Sequence, residues 1–406
     1  MSNNFAGGAA SAPRTFVPIP ARISDLDQYV LDALPRYPVS VLRPDVLKAN
    51  AEEFVSGFTG TPMYAVKCNP DERVIRSLIA GGLTTFDCAS IGEVKMIRRI
   101  MPEATIYFMH PIKARESIRE AYFEHDVKIF VLDSASEIEK IVEETDGAKD
   151  LTLFVRMAMP KSNTATDFSA KFGAPPILAV DLLRRARPHC ARLGISFHVG
   201  TQCVDTKAYS RAIRVAADVI RAAAVDVEAL DVGGGFPTNL TPDNPPPPLA
   251  DYFAAIAKAV KKNGVGHLQL LAEPGRALVA SAGALVVRVE SRRDDLLYIN
   301  DGTYGGIFEA AGAIGLPYPA HMVRRDGRAP ASSELKAFRM AGPTCDSVDM
   351  MKGPFMLPAD INEGDWIVLD QLGAYGEISR TPFNGFDQVT AVELFERPAA
   401  QQMRVA

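Results

Sequence analysis

The run Met63-Tyr64-Ala65-Val66-Lys67-Cys68-Asn69-Pro70 puts a lysine at the C-terminal end of an apolar strand, immediately before a turn. An ammonium at the end of a buried strand is costly unless it is paired or chemically employed. The employment that suits lysine is a Schiff base to an aldehyde. The competing reading is a lysine that reaches solvent or meets a buried carboxylate. Other polar residues stand at comparable places in the chain. Asp87 ends the run beginning at Thr84, His110 follows Thr105–Met109, and Arg156 ends the run from Leu151. His198 lies within Ile195–Val199, Gly233-Gly234-Gly235 follow Val227–Val232, and Glu273-Pro274-Gly275-Arg276 follow Leu268–Ala272.

Three successive glycines let the backbone come close to an anion with its N–H groups converging on it. The stretch Asp231-Val232-Gly233-Gly234-Gly235-Phe236-Pro237 is not the dinucleotide pattern G-x-G-x-x-G, and its proline disfavours an immediate helix. Beside Glu273 and a strand-end lysine, the glycines point to a phosphorylated aldehyde, pyridoxal 5′-phosphate. Lys67 would hold its carbonyl carbon, the glycine loop its phosphate, and Glu273 would keep its ring nitrogen protonated. A carboxylate at that nitrogen makes a strong electron sink, which suits decarboxylation.

The elements that must position these groups are eight short apolar runs: Met63–Val66, Thr84–Phe86, Thr105–Met109, Val127–Leu132, Leu151–Arg156, Ile195–Val199, Val227–Val232 and Leu268–Ala272. Amphipathic segments separate them, and a further helix over Asp45–Phe58 precedes the first. The alternation predicts an α/β fold, a (β/α)8 barrel over 41–280, with an open doubly wound sheet as the alternative. In a barrel, all the polar positions named above share the C-terminal rim, where barrel enzymes keep their active sites. Beyond residue 280 the runs Ala284–Glu290, Leu296–Ile299, Phe338–Ala341, Trp366–Leu372 and Val389–Phe395 predict a C-terminal antiparallel β domain over 281–406. Residues 23–40 are expected to pack with it, and 1–22, rich in small and polar residues, to be a disordered tail. Thr241–Pro248 reads as a proline-rich loop.

The 406 residues exceed one compact core, and a net charge of −5 argues against nucleic acid or an anionic membrane as partner. Five scattered cysteines without a C-x-x-C pair suit a reduced, cytoplasmic protein, and the six histidines show no ligand spacing, so no metal is expected. No apolar stretch approaches the ~20 residues of a membrane span.

From Val39 to Phe395 the chain resembles the ornithine/lysine/arginine/diaminopimelate decarboxylases of the alanine-racemase-like barrel type, and among them the bacterial ornithine enzymes. The matching motifs are YAVKCNP (64–70), FDCAS (86–90), KFG (171–173), HVGTQ (198–202), DVGGGFP (231–237), AEPGR (272–276), NDGTYG (300–305), GPTCD (342–346), GAYG (373–376) and FNGF (383–386). The resemblance implies Lys67 as the Schiff-base lysine, Glu273 at the ring nitrogen and His198 stacked on the ring, with Asp87 and Arg156 lining the pocket. It further implies Gly233, Gly234, Gly235, Gly275, Arg276, Tyr375 and Thr201 around the phosphate, Thr201 replacing the serine common there. Cys345 would protonate Cα, and Asp346 would meet the distal amine of the substrate. Both come from the partner subunit in this family, so a homodimer with shared sites is implied, with Lys171 pairing across it to Asp349. Glu309 stands where bacterial members of the branch carry Asp and is expected to be a second acid for the amine. The implied reaction is decarboxylation of L-ornithine to putrescine, with lysine as a further substrate. The alternatives are a lysine- or arginine-preferring decarboxylase, a racemase, against which Glu273 and Cys345 speak, and a non-catalytic regulatory relative.

Overall fold

The computed structural model describes residues 20–159, 171–312, 314–325 and 330–395. Strands Thr85–Cys88, Thr105–Phe108, Ile129–Leu132, Thr152–Met157, Arg192–Phe197, Ala229–Asp231 and Gln269–Ala272 follow one another in a parallel sheet, helices outside. The first strand is split. Thr61–Pro62 pairs with the last strand, and Tyr64–Ala65 pairs with the second. Pro62 has no N–H for the ladder, and Met63 makes the step between partners, donating its own N–H to the Ala272 carbonyl at 2.7 Å. That step closes the ring, so the barrel expected from the alternation forms and the open sheet does not.

The barrel interior is filled by Met63, Tyr107, Met109, Val131, Phe154, Ala229 and Leu271. Phe154 needs the glycine on the next strand: a Cβ at Gly194 would lie 2.3 Å from its ring. The outer helices are anchored at the rim. Ser90 and Ser134 accept the N–H groups of Glu93 and Glu137 at 3.2 and 3.3 Å, capping the helices Ile91–Ile100 and Ala135–Glu144 directly after strands two and four. After the last strand the chain makes only the short helix Arg276–Val279. The preceding helix Pro44–Gly57 fills the vacant place in the ring, its Phe54 packing edge-on against Phe236 and Phe253 at 5.1 and 4.9 Å.

Among the described residues the second sheet has nine strands, including Ala21–Ile23, Val39–Leu42, Gly283–Arg293, Ala320–Val323, Met350–Pro358, Trp366–Asp370 and Thr390–Leu394. It is mixed rather than wholly antiparallel, because Ala21–Ile23 and Val39–Leu42 both run parallel to Thr390–Leu394, and Leu296–Ile299 runs parallel to Leu335–Ala341. Of the tail expected over 1–22, residues 1–19 lie outside the described residues, and Ala21 and Arg22 are in a strand, ordered by their pairing with Val392 and Glu393. The chain enters the barrel from Val39–Leu42 and returns through Gly283, which is paired with Leu42. Arg43 secures the crossing: its N–H reaches the Ala282 carbonyl at 2.8 Å and its guanidinium meets Asp370 at 2.9 Å.

Candidate active site

Lys67 sits in the turn Val66–Cys68, directly after Tyr64–Ala65, so the end of the first barrel strand aims it over the rim. It opens on a cavity of about 350 Å³ whose walls include Arg156, His198, Thr201, Gly234, Gly235, Glu273, Gly275, Arg276, Glu309 and Tyr375. The residues expected at the rim from scattered positions in the chain therefore meet in one place. Lys67 is 44% exposed, and the space it meets is this cavity. Its Nζ lies 3.8 Å from Oδ2 of the buried Asp87. Burial alone would lower the Lys67 pKa, but the carboxylates of Asp87 and Glu273 together outweigh it and raise it. Asp87 is pushed up to about 7 by burial, with Glu273 adding to the effect and Lys67 opposing it.

His198 is the first residue beyond its strand rather than within it. Its Nδ1 accepts the Gly200 N–H at 3.0 Å, which leaves the proton of the neutral ring on Nε2. Burial, then the cations Arg156 and Lys67, hold its pKa well below the usual histidine range. A neutral imidazole can lie flat against an aromatic ring without bringing a charge to it. The glycines behind it are required by geometry. Gly233 and Gly235 have φ of +68° and +98°, and a Cβ would lie 2.1 Å from the Phe197 carbonyl and 2.4 Å from the Gly200 carbonyl, respectively.

Arg276 is buried and pairs through Nη2 with Glu309 Oε1 at 2.6 Å, above the ring of Tyr375. Its Nε and Nη1 are buried and have no hydrogen-bond partner among the described residues. Two orphaned guanidinium nitrogens are costly unless an anion completes them. Beside a loop that only glycine can form, this donor set fits a phosphate group. Glu309 is itself buried in the turn Phe308–Ala310, and its Oε2 accepts the Tyr318 hydroxyl at 3.1 Å. It lines the cavity with both oxygens engaged inside the chain.

Cys345 and Asp346 do not join this cavity within one chain. Cys345 is exposed, its N–H donating to Asn384 Oδ1 at 3.2 Å. Asp346 accepts the Tyr304 hydroxyl and the Val348 N–H, which lower its pKa. Val348 lies exposed beside them in sequence, and the exposed Phe383 and Phe386 flank Asn384, which accepts the Cys345 N–H. Asp349 is buried, its carboxylate accepting from the Thr303 N–H at 2.7 Å and from the Thr344 N–H and hydroxyl at 3.1 and 2.7 Å. Within the chain it orders its own loop and does not meet Lys171, which lies over the Phe172 ring at 5.0 Å; the bridge expected between them is one across a dimer.

The cavity also holds residues that the strand-end argument did not reach, including Cys68, Met109, Phe172 and Ile314. Cys68 Sγ lies 2.9 Å from the Tyr375 hydroxyl, and burial pushes the thiol up to about 11. His110, noted at the rim, presents its ring edge-on to Phe172 at 5.3 Å and accepts the Ile112 N–H at Nδ1. The signal for Cys68 was its place beside Lys67; Phe172 and Ile314 lie in loops, where no periodicity marks a lining residue.

A closed parallel barrel with a lysine, a glycine-rich anion cradle and a buried carboxylate on one rim defines a pyridoxal-phosphate protein. Residues 45–280 match the family described as "Pyridoxal-dependent decarboxylase, pyridoxal binding domain", and the chain belongs to that family, with pyridoxal 5′-phosphate as its cofactor. It is 31% identical over 347 residues to a lysine/ornithine decarboxylase of Selenomonas ruminantium, covering 82% of this chain and 84% of the relative. It is also 31% identical over 363 residues to antizyme inhibitor 2 of Xenopus laevis, covering 80% and 74%. Among solved structures, the arginine decarboxylase of Paramecium bursaria Chlorella virus superposes with a TM-score of 0.79 at 27% identity, covering 91% of this chain and all of that one.

Proposed function

We propose that this protein decarboxylates L-ornithine to putrescine, with lysine as a further substrate. The observation that carries the reading is the single cavity in which Lys67, His198, Glu273 and the half-partnered Arg276 converge. When bound, the cofactor supplies an electron sink for the pair released as carbon dioxide leaves. Lys67 would hold the cofactor's carbonyl carbon through its amine. Glu273 keeps a proton on the ring nitrogen, and Arg276 with the glycine loop fixes the phosphate end. His198, neutral, covers one face of the ring and keeps water from it.

The proton for Cα and the acid for the distal ammonium belong, in this reading, to Cys345 and Asp346 of a second copy of the chain. The exposure of Cys345, and the exposed apolar side chains of Val348 beside it in sequence and of Phe383 and Phe386 on the loop of Asn384, support a homodimer with shared sites. A reduced cytoplasmic setting suits a chain whose five cysteines are all free.

The similarity to an antizyme inhibitor favours a second reading, a regulatory protein without catalysis. One experiment separates them. Purified protein is scanned for the visible band of lysine-bound cofactor, then assayed for carbon dioxide release from ornithine, lysine, arginine and diaminopimelate. Lys67→Ala should lose band and turnover while melting as a folded protein. Full turnover in that variant refutes the assignment of Lys67, and no release from any basic amino acid refutes the decarboxylase reading.

A further inference from the structure

Beneath the cavity floor lies a carboxyl group for which the reaction described above has no use. Asp231 ends the seventh barrel strand and is fully buried. Alternation fixes where it points. Ala229 and Leu271 face the barrel interior, so Asp231, two residues further along its strand, and Glu273, the first residue past the end of its own, face the same way. The register pairs Asp231 with Leu271, which brings the two acids together on adjacent strands. Glu273 is tied to the same loop, its N–H donating to the Gly233 carbonyl at 2.9 Å.

The two oxygens of Asp231 differ. Oδ1 accepts the Gly233 N–H at 2.9 Å. Oδ2 is buried and, among the described residues, no N–H or hydroxyl donates to it, Ser196 opposite it in register included. A charged carboxylate there would leave a buried anionic oxygen unsatisfied, a heavy penalty. An oxygen carrying its own proton has no such need and requires only an acceptor. Strand register and the strong effect of Glu273 on Asp231 make the Glu273 carboxylate the acceptor to which that proton would turn.

We propose that Asp231 is a neutral carboxylic acid whose O–H donates to the Glu273 carboxylate, and that it is the positioning residue for the acid facing the cofactor's ring nitrogen. Burial first, then the proximity of Glu273, raises the Asp231 pKa well above the ordinary carboxylate range, in agreement with that geometry. The other ionisable groups facing Asp231 across the barrel are Asp87, which raises it further, and the neutral phenol of Tyr107. Two carboxyls side by side in a dry site share one proton rather than both ionising. Here the proton stays on the deeper one. Glu273 then accepts from Asp231 on one side and meets the ring N–H on the other, so it cannot rotate out of line.

The inference rests on the assignment of Glu273 to the ring nitrogen, and the two can fail separately. Asparagine at 231 reproduces the proposed pattern, its carbonyl accepting from Gly233 and its amide donating to Glu273. In the holoenzyme, Asp231→Asn should therefore keep kcat within a few-fold, whereas Asp231→Ala should lose about a hundredfold, the scale of one positioned electrostatic group. Asp231→Ala should also shift the pH dependence of the visible cofactor band, which a merely structural defect would leave in place. Infrared difference spectra of wild type against Asp231→Asn at neutral pH should show one protonated-carboxyl band in the wild type alone, a readout that stands even if the alanine variant does not fold. An asparagine variant as impaired as the alanine one, or a wild type lacking that band, overturns the proposal. Glu273→Gln tests the underlying assignment: undiminished turnover there removes Glu273 from the ring nitrogen, whatever the infrared band of Asp231 shows.

Discussion

Replacing Arg276 with methionine separates the folding role of this residue from its binding role. In the structure its Nη2 satisfies Glu309, while Nε and Nη1 await an anion. Methionine removes both functions and keeps the apolar stem. On the folding side, Glu309 becomes a buried carboxylate whose remaining protein donor is the Tyr318 hydroxyl. Breaking one half of such a pair costs about 3–5 kcal/mol, while removing both halves is close to neutral. Arg276→Met should therefore lower the melting temperature, and Arg276→Met with Glu309→Gln should restore most of it. On the binding side, two charge-assisted hydrogen bonds disappear, each contributing roughly 1.5–3 kcal/mol. Pyridoxal phosphate should then bind the apoprotein at least a hundredfold more weakly, and Glu309→Gln in the same chain should not repair this. The assays are thermal melts of the apoprotein and a titration of it with the cofactor, followed by absorbance. A double variant that binds pyridoxal phosphate as tightly as wild type would refute the assignment of the free guanidinium nitrogens to the phosphate.

Mixing inactive Lys67→Ala and Cys345→Ala chains should restore up to about a quarter of wild-type activity through hybrid dimers, in which one of two sites is intact; no recovery despite demonstrated subunit exchange counts against shared sites. Gly194→Ala should destabilise the barrel by about 1–3 kcal/mol through overpacking against Phe154, and Phe154→Leu should recover part of the loss in denaturant melts. Asp87 has a folded pKa of about 7, above its unfolded value, so the folded state binds its proton more tightly. Its contribution to stability is therefore present at low pH and declines as pH rises from the ordinary carboxylate range to about 7. Asp87→Asn should remove that decline from the apoprotein's stability–pH profile, and an unchanged slope over that window would contradict it.

Most of the barrel and the heart of the site were legible from the chain, because one rule links them: a polar residue at the end of an apolar run is a rim residue. Lys67, Asp87, Arg156 and Glu273 follow it directly. The rule runs out where loops supply the wall. Glu309 was legible as an acid near the site, but not its burial or its bond to Arg276, since both depend on how the loop after Ile299 folds back. In the second sheet, Met350–Pro358 carries Gly353-Pro354 in mid-strand, which reads as a turn, although it pairs with Leu335–Ala341 on both sides of that dipeptide. Ala21–Ile23 and Val39–Leu42 are too short to signal a strand alone; they are ordered by distant partners, both by Thr390–Leu394 and the second also by Gly283–Val286. Asp231 stood inside a motif read for its glycines, and only the burial of Oδ2 marks it.

The adjacency of Leu42 and Gly283 makes the barrel an insertion within the second sheet rather than a unit that precedes it. On a ribosome, Val39–Leu42 emerges first and must wait about 240 residues for Gly283–Val286, and longer still for its other neighbour, Thr390–Leu394. During that interval a β-branched segment has both edges open, the condition in which strands pair with the wrong chain. The barrel, whose consecutive strands are sequence neighbours, is free to close in the meantime. Once closed, it brings the two ends of its own chain side by side and so delivers Val39–Leu42 to its partner at short range. The barrel thus serves as the folding jig for the sheet that surrounds its entrance and exit.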